Sequence, residues 1–454
     1  MQGKNICLCM LLLVMGFPLV AQDLNASTAS TVEESDGSTR TLEEVMQIAL
    51  SNNSQLKRGE LAARRDQIDW EQSRLNLLPS VSASLGHGIS QGRSVDPTTN
   101  QFTESTFSSG SQGLSADLTL FNGFRMLHDI RMKGQARNAG RLELEGQVNE
   151  FKLDVIEAYI QVLTASDMLA QAQNQLEVTQ EQLRRAEVMH EEGAFPPGDY
   201  FDIRGQLKND ENYVASTEQQ LHVARLRLSR LMQVDEAALG TLAPLQVNST
   251  DPGLDALDDG QALFKRAEAE LPGIQALDYR IGEARQQIGI ARSGFFPSLG
   301  IGAGLNSRYS DQYDTSYGTQ VNQNLGKYVS VSLRIPIFNR LQTLNQVRHA
   351  RLGYEDALLQ KEIRLQQLKE ETSKAVFDLA TAVTSWRNVE EQVALYHESF
   401  RIAQVHFEAG ASNSFLFLTA KNKVDAARQQ LVLRQYEYLL QQYINDYYSG
   451  NLEF

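Results

Sequence analysis

Residue types able to do chemistry are present in the chain but not grouped. The seven histidines stand at 87, 128, 190, 222, 349, 397 and 406. No HExxH or paired His/carboxylate spacing joins them, so no metal site is expected. Gly300, Gly302 and Gly304 invite comparison with a phosphate loop. They fall inside an alternating, strand-like run, where small residues at a packed or pore-facing position explain them better. The sequence holds no GxSxG, Walker or deaminase signature. Its two cysteines, Cys7 and Cys9, lie among the first 21 residues. No cofactor and no enzymatic activity are expected of this chain.

Residues 1–21 read as a secretory signal peptide: Lys4 supplies the positive start, 6–20 are mostly apolar, and Ala21 offers a small residue for cleavage. Cleavage would remove both cysteines and with them any disulfide or thiol chemistry. Retained, the same cysteines could carry a lipid. The formal net charge is −14 and becomes −15 when Lys4 is removed. Such a chain is a poor match for nucleic acid or an anionic surface, and a pore lined by it would favour cations. Solubility of an exported protein accounts for the charge equally well. No later stretch approaches the roughly 18–20 continuous apolar residues of a spanning helix.

The elements are therefore more informative than any single site. Residues 328–337, YVSVSLRIPI, alternate strictly, with Val329, Val331, Leu333, Ile335 and Ile337 on one face and Tyr328, Ser330, Ser332 and Arg334 on the other. Residues 80–89 alternate likewise, Val81, Ala83, Leu85 and Ile89 against Ser82, Ser84, Gly86 and Gly88. Residues 114–121 and 298–306 complete four strands, joined by polar loops at 91–113 and 307–327. Each strand has about the 9–11 residues that a tilted strand needs to cross a bilayer. A buried sandwich is the competing reading, but the second face holds Ser, Gly, Thr and Asp instead of another apolar layer.

Long helical runs surround the strands. Thr41 with Glu44 forms a capping box, and a helix is predicted to resume over 55–78 and to stop at Pro79. Residues 125–192 and 340–408 contain no proline. At about 1.5 Å per residue each is a rod on the order of 100 Å. Leu153, Ile156, Ile160, Leu163, Leu176 and Leu183 give the first rod an apolar stripe, with Ala158, Ala165, Ala170, Ala172 and Ala186 as small partners. Returning helices near 200–232 and 415–448 suggest antiparallel coiled-coil pairs.

The chain is a duplication. Phe121-Asn122 recurs as Phe338-Asn339 and Gly193-Ala194 as Gly410-Ala411, both 217 positions on. Leu78-Pro79-Ser80 recurs as Phe296-Pro297-Ser298 at 218. A register held over that length means two copies of one unit. The expected organisation is a flexible lead at 22–40, a first repeat at 41–234, a linker at 235–259 and a second repeat at 260–454. Four strands cannot close, and an open edge cannot stand in lipid. Copies of the chain must then pool strands, eight in a dimer or twelve in a trimer, and a water-filled lumen favours twelve.

Taken together, the strand starts Leu78-Pro79-Ser80 and Phe296-Pro297-Ser298, the returns Leu120-Phe121-Asn122 and Ile337-Phe338-Asn339, and the tips Glu192-Gly193-Ala194 and Ala409-Gly410-Ala411 resemble the TolC-like outer-membrane efflux protein family. The second-copy lead-in Leu271-Pro272-Gly273-Ile274 adds to the likeness, which covers roughly 41–448. The resemblance implies a mainly α fold with a long coiled-coil α-barrel and a homotrimeric, shared 12-stranded β-barrel in the outer membrane of a Gram-negative bacterium. It implies a passive conduit for drugs or other small solutes, docked through a periplasmic adaptor to an inner-membrane transporter. Type I protein secretion uses the same design, and a secreted coiled-coil protein without a pore is the other alternative.

The resemblance also directs attention to the helix ends past the tips. The family's acidic constriction positions hold Leu416 and Thr419 in the second copy and Asp199 and Asp202 in the first. Phe415, Leu416 and Phe417 could form an apolar gate instead, closing by dewetting, or could be plain packing between hairpins. Asp199 could equally be a helix cap. The latch positions fall on Phe407 and Ser412, so that bonding network is not carried over. Gly193, Ala194, Gly410 and Ala411 are implied adaptor contacts. Phe121, Phe296, Tyr328 and Phe338 are candidates for an aromatic girdle at the membrane interface.

Overall fold

The computed structural model describes residues 39–95, 100–103, 106–193, 196–245 and 259–452. The expected signal peptide and most of the lead and linker lie outside these residues.

Helix α1 (Leu42–Asn52) starts on the expected capping box: the Glu44 amide donates to Thr41 Oγ1 at 3.3 Å, and the Thr41 amide to Glu44 Oε2 at 3.2 Å. Asn53 then caps α2 (Ser54–Leu75), its side-chain oxygen accepting the amides of Gln55 and Leu56. The helix stops three residues short of the expected Leu78. Asn76–Leu78 form a turn because the residue before Pro79 is excluded from helical backbone.

Strands β1 (Thr39–Arg40), β2 (Ser80–Ser90), β3 (Ser94–Val95), β4 (Phe102–Thr103) and β5 (Phe107–Asn122) precede the first rod, α3 (Arg125–Glu191). Helix α4 (Pro197–Met232), a short 3-10 turn and β6 (Thr241–Leu242) close the first repeat. The second contains α5 (Gly260–Glu270), α6 (Pro272–Ser293), β7 (Ser298–Ser310), α7 (Tyr317–Gln323), β8 (Gly326–Arg334), α8 (Gln342–Glu408) and α9 (Ser414–Ser449). The paired helices match in length: 11 residues for α1 and α5, 22 for α2 and α6, 67 for α3 and α8, 36 for α4 and α9. Both strand-to-rod joints also share a left-handed backbone, at Gly123 and Phe124 in one copy and Arg340 and Leu341 in the other.

β2, β5, β7 and β8 form one antiparallel sheet in that order, and among the described residues an edge of β2 and an edge of β8 are left unpaired. The strand limits depart furthest from the sequence reading at three ends. β5 starts at Phe107 because β2 runs to Ser90 and pairs with it throughout, so 107–113 belong to the sheet and not to the loop. β7 continues to Ser310 for the same reason. β8 ends at Arg334, just ahead of Pro336, which has no N–H to donate. Within the expected loop at 307–327 lies α7.

The register separates the two faces of the sheet. Val81, Ala83, Leu85, Leu114, Ala116, Leu118, Leu299, Ile301, Ala303, Leu305, Val329, Val331 and Leu333 share one face. Ser82, Ser84, Gly113, Ser115, Asp117, Gly300, Gly302, Ser330 and Ser332 share the other. Side-chain contacts agree: a Cβ on Gly302 would meet Ser330 Oγ and Asp117 Oδ1, and one on Gly113 would meet Ser84 Oγ.

The main core lies far along the rods from the sheet. Val45 and Ala49 of α1 pack with Val155, Ile156 and Tyr159 of α3, Leu228 and Met232 of α4, and Tyr436 and Leu439 of α9. Tyr159 is fully buried, and its hydroxyl lies 2.6 Å from the Ala243 carbonyl and 3.2 Å from that of Arg40. It thereby ties β1 to β6, which pair in parallel. The last residues of the supposed lead and the first of the supposed linker are thus folded onto the core, with Leu239 and Leu242 buried. No described helix is long and apolar enough to cross a membrane.

Candidate functional site

Two regions bear on function: the free ends of the helical hairpins and the polar face of the sheet. At the hairpin ends, Gly193 (φ +72°) and Gly410 (φ +68°) adopt the left-handed turn that glycine tolerates. Among the described residues nothing lies within 4 Å of a Cβ built on either, so both positions are open to solvent there. Ala411 donates its amide to the His406 carbonyl at 2.9 Å. Ala194 lies outside the described residues.

Asp199 and Asp202 occupy the first turns of α4, three residues apart and on one helix face. Both carboxylates converge on Ser414 at the start of α9. Its hydroxyl lies 2.5 Å from Asp199 Oδ1 and 3.0 Å from Asp202 Oδ2, and its amide donates to Asp199 Oδ1 at 3.3 Å. The pair therefore clamps one hairpin to the other within a single chain. Across the clamp, Asn413 caps α9 by accepting the Leu416 amide at 3.1 Å.

The apolar trio divides. Phe417 is 1% exposed and stacks on Phe407 at 4.7 Å, with Phe400 at 5.7 Å, so it is packing between α8 and α9. Phe415 and Leu416 are 69% and 57% exposed. Thr419 turns its hydroxyl back to the Phe415 carbonyl at 2.7 Å.

Further along the hairpins is a cluster that sequence reasoning missed. Lys421 is 2% exposed, and its ammonium lies 2.8 Å from Asp425 and 3.4 Å from Asp210, both buried carboxylates. Asp210 also accepts bonds from Gln175, Thr179 and Gln206. Burial pushes the Asp425 carboxyl up from its ordinary value, against the pull of Lys421. The apolar stripe expected on α3 gives way here: Leu176 and Leu183 are half-buried, while Gln175, Thr179 and Gln182 take the buried positions. Lys421 and Asp425 four apart read as an ordinary solvated pair, and no local signal marks them as buried.

On the sheet, Phe121 lies on the apolar face opposite Leu299 and meets Phe124 edge to face at 5.2 Å. Phe296 and Phe338 are exposed. Tyr328 is a correction: it pairs with Gly304 on the polar face, and its ring fills the space a Cβ on Gly304 would need. It cannot belong to a girdle on the apolar face. Among the described residues no group of three or more His, Cys, Asp or Glu could hold a metal ion.

A family model for outer membrane efflux proteins matches residues 45–233 and 263–443, most of the chain. The chain belongs to the outer membrane efflux protein family. Among its relatives is the pyoverdine export outer membrane protein OpmQ of Pseudomonas putida, 22% identical over 86% of this chain and 81% of that protein. Another is the outer membrane protein TolC of Escherichia coli, 25% identical over 73% of this chain and 72% of that protein. The outer membrane channel CmeC of Campylobacter jejuni superposes with a TM-score of 0.80 at 16% identity, covering 90% of this chain and 86% of that one. Like its efflux relatives, the chain is a protein of the Gram-negative outer membrane.

Proposed function

We propose that the chain is the outer-membrane channel-tunnel of a tripartite efflux pump, a passive conduit carrying drugs or other small solutes across periplasm and outer membrane. One observation carries this reading: a four-stranded sheet with an apolar face, a face of Ser, Gly and Asp, and both edges unpaired. In lipid the free edges must pair, and copies of the chain supply the partners. Three copies give twelve strands, with the apolar face toward lipid and the polar face lining water. A coiled-coil protein without a pore has no use for such a sheet. The two repeats, 41–234 and 260–454, each contribute one strand pair and one long hairpin to the periplasmic tunnel. A periplasmic adaptor would meet the open tips at Gly193 and Gly410 and connect the tunnel to an inner-membrane transporter.

The exposed Phe415 and Leu416 remain our candidates for the narrowest point of the tunnel, with Asp199 and Asp202 holding the helix start that carries them. Native mass spectrometry of the detergent-purified protein tests the assembly. Three chains per particle is the expected result. A particle of two chains would argue for an eight-stranded barrel, and a stable monomer would overturn the conduit.

A further inference from the structure

Helix α7 interrupts what would otherwise be a polar loop between β7 and β8, and the structure ties it firmly in place. Gln320 is 1% exposed, and its side-chain amide donates to the carbonyls of Ser310, Tyr313 and Thr315 while its oxygen accepts the Ser310 amide. A mobile loop would not bury and satisfy a glutamine so completely.

Three contacts show which side of the sheet α7 lies on. Ser307 Oγ donates to the Val321 carbonyl at 2.7 Å. Gln112 donates through Nε2 to the Tyr317 hydroxyl. The Tyr309 and Tyr317 rings meet at 5.0 Å. In the register Ser307 pairs with Gln112, and Tyr309 with Gly110, on the same face as Leu114 and Leu305. A Cβ on Gly110 would touch Tyr309 and His87, which confirms that face independently. The helix therefore folds over the apolar side of the sheet and not over the polar side.

Its height is equally defined. Leu299 to Leu305 spans six residues of apolar face, about 20 Å at ~3.3 Å per residue. Ser307 follows Leu305 by two residues, so α7 meets β7 about 7 Å beyond the last apolar residue of that strand's outer face. Lys327, opposite Leu305, marks that border. Tyr313, Tyr317 and Leu325 are 48%, 52% and 42% exposed around it. Tyrosine, apolar in its ring and polar at its tip, suits the boundary between acyl chains and headgroups.

We infer that α7, with Tyr313, Tyr317, Leu325 and Lys327, forms a collar that rests on the lipid headgroup layer of the outer leaflet. This rests on the barrel reading above and names a lipid contact for an element that reading leaves without a role. Asp311 and Asp314 share the loop, so the ring faces carry the contact and Lys327 alone supplies attraction to lipid phosphate.

Depth-dependent quenching tests the collar in the full chain reconstituted into phospholipid vesicles. Tyr317→Trp reports on α7 and Val331→Trp on the belt, with emission of the parent protein (Trp70 and Trp386) subtracted. Tyr313→Trp repeats the measurement without disturbing the Gln112 contact. The collar predicts that both α7 probes are quenched several-fold more by a headgroup nitroxide than by bromine deep in the acyl chains, with the reverse at 331. If the 331 probe is quenched deep but neither α7 probe is quenched by the headgroup label, the collar fails and the barrel stands. If the 331 probe is not quenched either, the barrel reading fails first and takes the collar with it.

Discussion

Lys421 joins the two hairpins through a buried ion pair. It faces two buried carboxylates, Asp210 and Asp425, so removing its charge takes away the ion-pair partner they share. Lys421→Met should destabilise the protein by about 3–5 kcal/mol, the usual cost of breaking a buried ion pair from one side. Combining it with Asp210→Asn and Asp425→Asn should recover much of the loss in thermal unfolding. Asp425 adds a pH dependence of definite sign. Its folded pKa is raised above the ordinary 3.8, so as pH rises from that value through the folded pKa the native state must give up a proton the unfolded chain has already lost. Its contribution to stability therefore falls as pH rises through that window, and Asp425→Asn should flatten the wild-type slope there. Ser414→Ala removes the shared partner of Asp199 and Asp202. It should cost about 1.5–3 kcal/mol, seen as faster amide exchange in the first turns of α4 and α9. None of these contacts was legible from the sequence. The contacts to Asp199, Asp202 and Asp210 join residues more than two hundred positions apart, Asp425 four positions on reads as an ordinary solvated pair, and Ser414 and Lys421 look locally like any cap or surface lysine.

The strand-to-rod joints show where element-scale reading succeeds. Gly123 sits at φ +68° with the Ser293 carbonyl 2.6 Å and Phe296 Cβ 2.8 Å from where a Cβ would stand. Gly123→Ala therefore meets both backbone strain and a backbone oxygen, and about 2 kcal/mol or more is expected on left-handed strain and crowding together. Arg340, at φ +54° in the second copy, already tolerates that backbone, so Arg340→Gly should be neutral or slightly stabilising. Thermal unfolding of the two variants separates the cases. Alternation placed all four strands because apolar residues recur at every second position on one face of the sheet, as at exposed Val329, Val331 and Leu333. It failed at 107–113, where Ser, Gly and Gln carry no periodic signal and pairing with β2 and β7 makes them strand. Helix pairing was legible from the Gly193 and Gly410 tips. The parallel β1–β6 pair was not, since two-residue strands hold no period.

At the scale of the molecule, the open sheet edges are what the proposed assembly would close, and a closed ring of twelve strands would enclose a lumen. If the proposed lumen shares the acidic balance of the chain, −14 before any processing, it should favour cations, although solubility of an exported protein accounts for that charge equally well. If the constriction lies at the tips, Leu416→Asp should change conductance by placing a charge where the wild type presents an exposed apolar side chain. An unchanged conductance would move the narrowest point away from that residue. The most direct test of the whole account is single-channel recording of the purified wild-type protein in a planar bilayer. Discrete, cation-favouring current steps from a three-chain particle are expected. A folded preparation that inserts into the bilayer yet passes no current under any voltage or pH would contradict the conduit.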